Sequence, residues 1–289
     1  MRNKQLLLKS RKYKDAVLYG IMALSLALVL GMLVFILGYI LVCAAGQMNL
    51  SLISRANPRG IFPMLVTTLY VVLVSLAIAV PIALMTAIFL NEYTGNSGLV
   101  RFLRLAIETL AGIPSILYGL FGLLLFCRFL GFGQSILAGA CTLSIMILPV
   151  IIRTTEESLK TIPPSFREAS LALGATQFQT IRHVVLPSAL PGIVTATILA
   201  IGRVVGESAP VLLTVGITRN IPASVFDSGR TLTIHLYYLT KEAIKPEDFG
   251  IAFATATVLI ILVICINTAT KFFSHFSHFF SNNKNRSVL

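Results

Sequence analysis

The chain has 289 residues, 56% of them hydrophobic and only 12% charged, and its mean hydropathy is +0.88. Soluble domains carry roughly a quarter of their residues charged, so this composition excludes one, and lipid must solvate much of the surface. The net charge of +12 would suit a nucleic acid, but no stretch between the apolar runs is long and regular enough to display a basic patch. No nucleic-acid partner is expected, and the positive charge is read as membrane topology.

A helix that crosses a bilayer needs about 20 apolar residues, because lipid offers its backbone no hydrogen bonds. Six segments qualify: 16–45, 61–90, 110–126, 132–152, 190–213 and 249–269. The expected fold class is all-α integral membrane, with six transmembrane helices in a single domain over 1–289. The basic segment 1–15 leads into an apolar run about twice the length of a signal-peptide core. Val42 before Cys43 also lacks the small residue of a lipoprotein cleavage site, so this run reads as a retained anchor. The first two runs are long enough to tilt or to extend beyond the membrane, and Pro81 should kink the second. The third is short and holds Gly112, Pro114 and Gly119, which predicts irregular backbone.

At the end of the fourth run, Arg153 and Glu156 share a face by their i,i+3 spacing. They read either as an interfacial anchor with a surface ion pair or as a gate element. In the following connection, 153–189, Ser165-Phe166-Arg167-Glu168 fits a capping box behind Pro164, and Gly174 suits a helix stop. Thr176-Gln177-Phe178-Gln179 is a second such start, and Pro187 should end or kink that helix. The prediction is two short helices meeting at a glycine elbow, with small Ala169 and Ser170 permitting close approach of a partner. An ordinary inter-span connection with good caps would look the same.

The fifth run carries Arg203 and Glu207. An arginine in a span costs about 2.5–3.5 kcal/mol on insertion scales and so faces the bundle interior or a water path. Glu207, four residues on, can neutralise it, while Gly202 and Gly206 leave room for a helix or a ligand. The pair is either a structural ion pair or a gated anion site, for which the guanidinium fork suits oxyanion geometry. Segment 217–248 is the largest connection on the other side and has room for a short helix or a re-entrant piece. The tail 271–289 reads as an interfacial anchor and a disordered end; His275 and His278 lack further metal ligands nearby. Cys43, Cys127, Cys141 and Cys265 have no metal spacing and read as small hydrophobes.

With the N-terminus inside, fifteen Lys and Arg fall on the cytoplasmic side, where 153–189 also lies, and seven on the other, including Arg55, Arg59, Arg219, Arg230 and Lys245. That asymmetry predicts a multi-pass protein with both termini cytoplasmic. No G-x4-G-K-[ST] cradle for ATP phosphates is present, and no catalytic or metal-ligand set, so no enzyme activity, bound cofactor or metal is expected of this chain.

Glu168-Ala169-Ser170, then Gly174, then Val184 and Leu186-Pro187 resemble the EAA loop of binding-protein-dependent ABC importers. That loop reads E-A-A, three residues, G, nine residues, I, one residue, L-P. Every spacing matches, with Ser170 for the second alanine and Val184 for isoleucine. The resemblance implies the ABC type I importer permease fold. It also implies an ATPase-coupling loop at Glu168, Ala169, Ser170, Gly174, Leu186 and Pro187, whose helix docks in a groove of the ATPase. Gly202-Arg203 and the run Gly206-Glu207-Ser208-Ala209-Pro210-Val211-Leu212-Leu213-Thr214 resemble phosphate-importer permeases of the PstA type. So does Ala111-Gly112-Ile113-Pro114-Ser115-Ile116 with Gly119; Ser208 stands where that family more often has threonine. This implies a subunit that moves inorganic phosphate across the bacterial plasma (inner) membrane by alternating access, with Arg203, Glu207, Arg153 and Glu156 on the path or its gate. The implied partners are a PstC-type permease as heterodimer, two PstB-type ATPase subunits that use ATP and Mg, and a PstS-type phosphate-binding protein. An ABC permease for phosphonate, sulfate or molybdate is the alternative. An ATP-independent secondary transporter would leave the EAA spacing unexplained.

Overall fold

The computed structural model describes the backbone of residues 2–46, 48, 54, 60–95, 97–243 and 246–286. Arg55, Arg59, Lys245 and residues 287–289 lie outside these, as do the side chains of His275 and His278. All regular structure among the described residues is helical. Helix α1 spans Arg2–Ala44; α2, Phe62–Ile88, continues through a widened π turn, Phe89–Tyr93. Helix α3, Gly98–Ala111, is followed by α4, Ser115–Gly122, which a second π turn, Leu123–Phe129, prolongs. Next come α5, Ile136–Lys160, and the short α6, Pro164–Ala172. Helix α7, Gln177–Thr180, runs through a third π turn, Ile181–Val185, into α8, Leu186–Gly206. Then follow α9, Ala209–Thr214, α10, Leu232–Glu242, and α11, Pro246–Arg286.

Five of these are long and apolar enough to cross a membrane, and the pair α3 and α4, bent by 99°, is either a sixth, broken span or a re-entrant loop. The expected span 110–126 is therefore the second limb of a hairpin-like pair. Its irregularity sits at Gly112–Pro114, where proline disfavours helical backbone in the residue before it. The expected span 190–213 is corrected in the same way: α8 ends at Gly206, Glu207 is extended (φ −73°, ψ 135°), and α9 starts afresh. The last helix runs on to Arg286, so 271–286 is helical where a disordered end was expected.

The most extensive contact is that of α2 with α5, followed by α5 with α8; α8 also packs on α11. The central core sets small and β-branched residues against larger ones: Val71, Ala79, Ala83 and Ala87 of α2 and Ala189, Ala196, Ala200 and Val204 of α8 share one cluster with Leu143, Met146, Ile147 and Ile151 of α5. Such faces bring helix axes close, the packing mode that works where lipid removes the hydrophobic drive between helices. By contrast the described side chains of α1, from Lys14 on, are mostly exposed; Leu24, Phe35 and Val42 stand 63%, 71% and 76% exposed. From Ala16 on that helix is apolar all round, a surface meant for lipid or another apolar subunit.

At the α4–α9 crossing, a Cβ on Gly119 would lie 2.8 Å from Pro210 Cα and 3.2 Å from the Ala209 carbonyl oxygen, whereas one on Gly202 would meet nothing within 4 Å. Gly119→Ala must push backbone apart and should cost about 1–3 kcal/mol. Gly202→Ala should leave stability unchanged or raise it through the better helix propensity of alanine. Thermal unfolding of the isolated chain in detergent tests this; equal shifts in Tm for the two variants would refute the close crossing.

Candidate functional site

Helix α6 starts at Pro164, two residues earlier than a box with Ser165 as cap predicts, and no side chain caps it. The cause is Pro163-Pro164: a proline at the first helical position has its φ preset and no N–H to satisfy. The elbow forms as expected. Gly174 takes φ +84°, its N–H donates to the Leu171 carbonyl (2.9 Å), and that of Ala175 donates to Ser170 (3.2 Å), a left-handed glycine stop. Thr176 then makes a complete capping box with Gln179. Pro187 does not end the helix, because it falls in the first turn of α8, where the preceding π turn absorbs the missing donor.

Glu168 and Ala169 face outward, while the Ser170 hydroxyl lies 2.9 Å from that of Thr180 and holds α6 against α7. Around the elbow Phe166, Leu171, Leu173 and Phe178 project, Leu173 at 89% exposure. Leu186 and Pro187 lie one helical stretch further on, at the root of α8. The Glu168 to Pro187 set is thus one protruding element with an apolar tip.

A residue not singled out from sequence anchors it. Glu92, in the π turn that ends α2, accepts two hydrogen bonds from Arg167: Nε to Oε2 at 3.0 Å and Nη2 to Oε1 at 2.8 Å. The two are 75 residues apart in sequence, so no local spacing could announce them.

Arg153 and Glu156 do not pair with each other. Arg153 lies 3.2 Å from Glu157 and 3.9 Å from Glu108, while Glu156 Oε1 lies 2.6 Å from Arg104 Nη2 and 2.8 Å from Lys160 Nζ. The i,i+4 partners win because they sit closer to one face of the turn than i,i+3, and α3 supplies a third cation. Together these groups line a cleft between α3 and the end of α5, floored by Pro149 and Ile152. A helix rises 1.5 Å per residue, so the 25 residues of α5 reach about 37 Å against about 30 Å of hydrocarbon. The cleft occupies the last turns of α5, toward the end from which the elbow follows.

Arg203 occupies the last turn of α8, its Nε 3.8 Å from Glu207 Oε1, with side chains 31% and 17% exposed. The break is tied to α10, whose Thr233 hydroxyl donates to the Glu207 carbonyl (3.0 Å), and α10 is itself held to α2 by the Leu232 N–H, which donates to Thr68 Oγ1 (3.0 Å). Since a Cβ on Gly202 or Gly206 would meet nothing within 4 Å beyond its own helix backbone and chain neighbours, the face of α8 beside Arg203 is open within this chain. His235, one turn along α10, is buried with both ring nitrogens lacking hydrogen-bond partners. Burial, reinforced by Arg219 and Arg230, lowers its pKa to about 4, so it is neutral at pH 7.

Residues 79–276 match the family described as binding-protein-dependent transport system inner membrane component. The chain is 32% identical over 280 residues to the probable ABC transporter permease protein YqgI of Bacillus subtilis, covering 91% of this chain and 95% of that one. It is 42% identical over 212 residues to the phosphate transport system permease protein PstA 1 of Mycobacterium tuberculosis, covering 73% and 69%. Among solved structures it resembles the MetNI methionine ABC transporter in an inward-facing conformation, with TM-score 0.60, 24% identity, and 76% and 94% of the two chains covered. It also resembles a bacterial alginate ABC transporter in complex with alginate pentasaccharide-bound periplasmic protein, with TM-score 0.69, 14% identity, and 90% and 94% covered. The fold is that of ABC type I importer permeases.

The two neighbouring carboxylates of α5 should behave differently. Glu156 is 9% exposed between two cations and Glu157 is 63% exposed. Glu156→Gln should cost about 1–3 kcal/mol once the exposure of Arg104 and Lys160 is discounted, and Glu157→Gln less than about 1 kcal/mol. Unfolding of the two variants side by side checks the ranking, which reverses if Glu156 is not the hub of the cluster.

Proposed function

The chain belongs to the family of binding-protein-dependent transport system inner membrane components, and from that premise we propose that it moves inorganic phosphate as one permease subunit of an ATP-driven importer. In this reading, ATP and Mg are used by two PstB-type subunits that grip the Glu168–Pro187 element. A PstC-type permease completes the path, and a PstS-type protein delivers phosphate from outside. The excess of Lys and Arg on the elbow side supports placing the elbow and both termini in the cytoplasm.

The observation that carries the cargo reading is Arg203, a guanidinium held loosely by Glu207 at a helix break, beside the open flank of Gly202 and Gly206. A phosphate oxygen pair can replace one carboxylate on such a fork with better geometry and more charge. Fold alone does not choose the cargo, because it is shared with a methionine and an alginate transporter. Similarity to phosphate transport system permease proteins of the PstA type supports phosphate. Opening toward the cytoplasm then requires the cleft of Arg153, Glu156 and Arg104 to rearrange, a rigid-body movement of the elbow against the bundle.

Arg203→Ala, expressed with its partners in a strain lacking its own phosphate importer, should assemble normally and lose labelled-phosphate uptake. Arg203→Lys should fall by more than about tenfold, since a charge-assisted hydrogen bond is worth about 1.5–3 kcal/mol. Normal uptake by Arg203→Ala removes this residue from the path. Competition by sulfate as strong as by unlabelled phosphate overturns the cargo.

A further inference from the structure

We propose that Glu92 and Arg167 form a strap that makes α2 move with the elbow, so that they are positioning residues for transport and touch neither cargo nor nucleotide. The proposal rests on the permease reading given above. The guanidinium of Arg167 is committed on every side. Besides its two bonds to Glu92, Nη1 donates to the Ile162 carbonyl (2.9 Å) and Nη2 to that of Leu159 (3.0 Å). One side chain of α6 thereby grips the end of α2 and the end of α5 together. Glu92 holds the other limb as well, its carbonyl accepting from Gln177 Nε2 at 2.7 Å in the first turn of α7. Asn91 Nδ2 steadies the carboxylate at 2.7 Å.

Little else attaches α6, which has no buried residue; its further tie is the Ser170–Thr180 hydroxyl contact. The strap is shielded, with Glu92 7% and Arg167 21% exposed at the side chain, so water competes weakly for the pair. Its far end is mechanically connected. Leu90, two residues before Glu92, is buried, and Ala87, Ala83 and Ala79 continue the buried face of α2 into the core against α5 and α8. The π turn Phe89–Tyr93 lies where the load would enter, and such turns recur at functional positions in helices.

The experiment uses the full complex in proteoliposomes, with orthophosphate labelled and ATP hydrolysis followed together. In Glu92→Gln and Arg167→Lys the ATPase subunits should co-purify at the wild-type ratio, while phosphate imported per ATP hydrolysed falls by about tenfold, within the range usual for coupling between sites. Glu92→Cys with Arg167→Cys, in a background without Cys43, Cys127, Cys141 and Cys265, should be uncoupled. A thiol-reactive bridging reagent should restore its coupling, and reduction should remove it again. A residue pair that merely stabilises the fold would instead lose co-purification and gain nothing from bridging. Coupling within about twofold of wild type in both single variants, or no response to bridging, overturns the strap. Should the wild-type complex hydrolyse ATP without importing phosphate, the cargo reading fails and the strap is judged on spin labels at Met85 and Leu173, both exposed. Their distance should be narrow in the wild type and broad in Glu92→Gln, and an unchanged distribution refutes the proposal.

Discussion

Lipid cannot hydrogen-bond a peptide group, and this constraint decides where the chain is allowed to stop being a helix. Each interruption of a span is met by a partner from elsewhere in the protein. At the α3–α4 bend the Tyr118 hydroxyl donates to the Leu110 carbonyl at 2.6 Å. At the α8–α9 break Thr233 serves the Glu207 carbonyl. The exposed N–H groups at the head of α5 are taken by a loop folded over them: Ser135 donates to Thr214, Ile136 to Asp227 and Leu137 to Val225, at 2.8 to 3.0 Å. Asp227 in turn orders that loop by accepting from the N–H groups of Ala223 and Ser224. The two sites of interest are therefore the places where the protein takes over from its own helices the task of satisfying the backbone.

The charges obey the same economy. Apart from Arg203 and Glu207 at the break, the described ion pairs gather at the elbow end: Glu92 with Arg167, Glu156 with Arg104 and Lys160, Arg153 with Glu157 and Glu108. Arg104 links the clusters, since its Nη2 also donates to the Leu90 carbonyl at 3.3 Å, two residues before Glu92. Carboxylates in such partly buried places are held by guanidinium groups because the planar fork satisfies two acceptors at once. The result is one charged layer joining α2, α3, α5 and α6 at a single level of the bundle.

Much of this was legible from composition and spacing. Long apolar runs do not need tertiary context to be helices in lipid, so 61–90, 132–152 and 249–269 appear close to where the sequence places them. The glycine elbow and the Thr176 cap depend on neighbours in sequence, and both are found. What local reasoning misplaces is decided by distant partners or by competing preferences. Pro187 looks like a stop, yet a π turn upstream admits it to a helix. Arg203 and Glu207 look like neighbours on one continuous face, yet the helix opens between them and α10 holds it open. Glu92 sits in an unremarkable run at the end of an apolar segment, and its importance appears only when Arg167 folds back upon it. Arg153 and Glu156 share the last two turns of α5, yet each takes its partner elsewhere.

The two sites are joined by a single element. Gln177 to Gly206 is one continuous 30-residue helical rod with a π turn in its course, about 45 Å long at 1.5 Å per residue, rooted in the elbow and carrying Arg203 in its last turn. Its two ends are held with different stiffness. At the elbow, Arg167 and Glu92 meet at 2.8 and 3.0 Å in a forked, shielded pair. At the far end Arg203 and Glu207 are 3.8 Å apart, beyond hydrogen-bond length, on opposite sides of a backbone break. Coulomb energy falls smoothly with distance while a hydrogen bond is lost abruptly. A displacement carried along this helix therefore meets firm resistance where it enters and little where it arrives. That loose contact lies at the far end of a long lever, where an oxyanion would compete readily for the guanidinium.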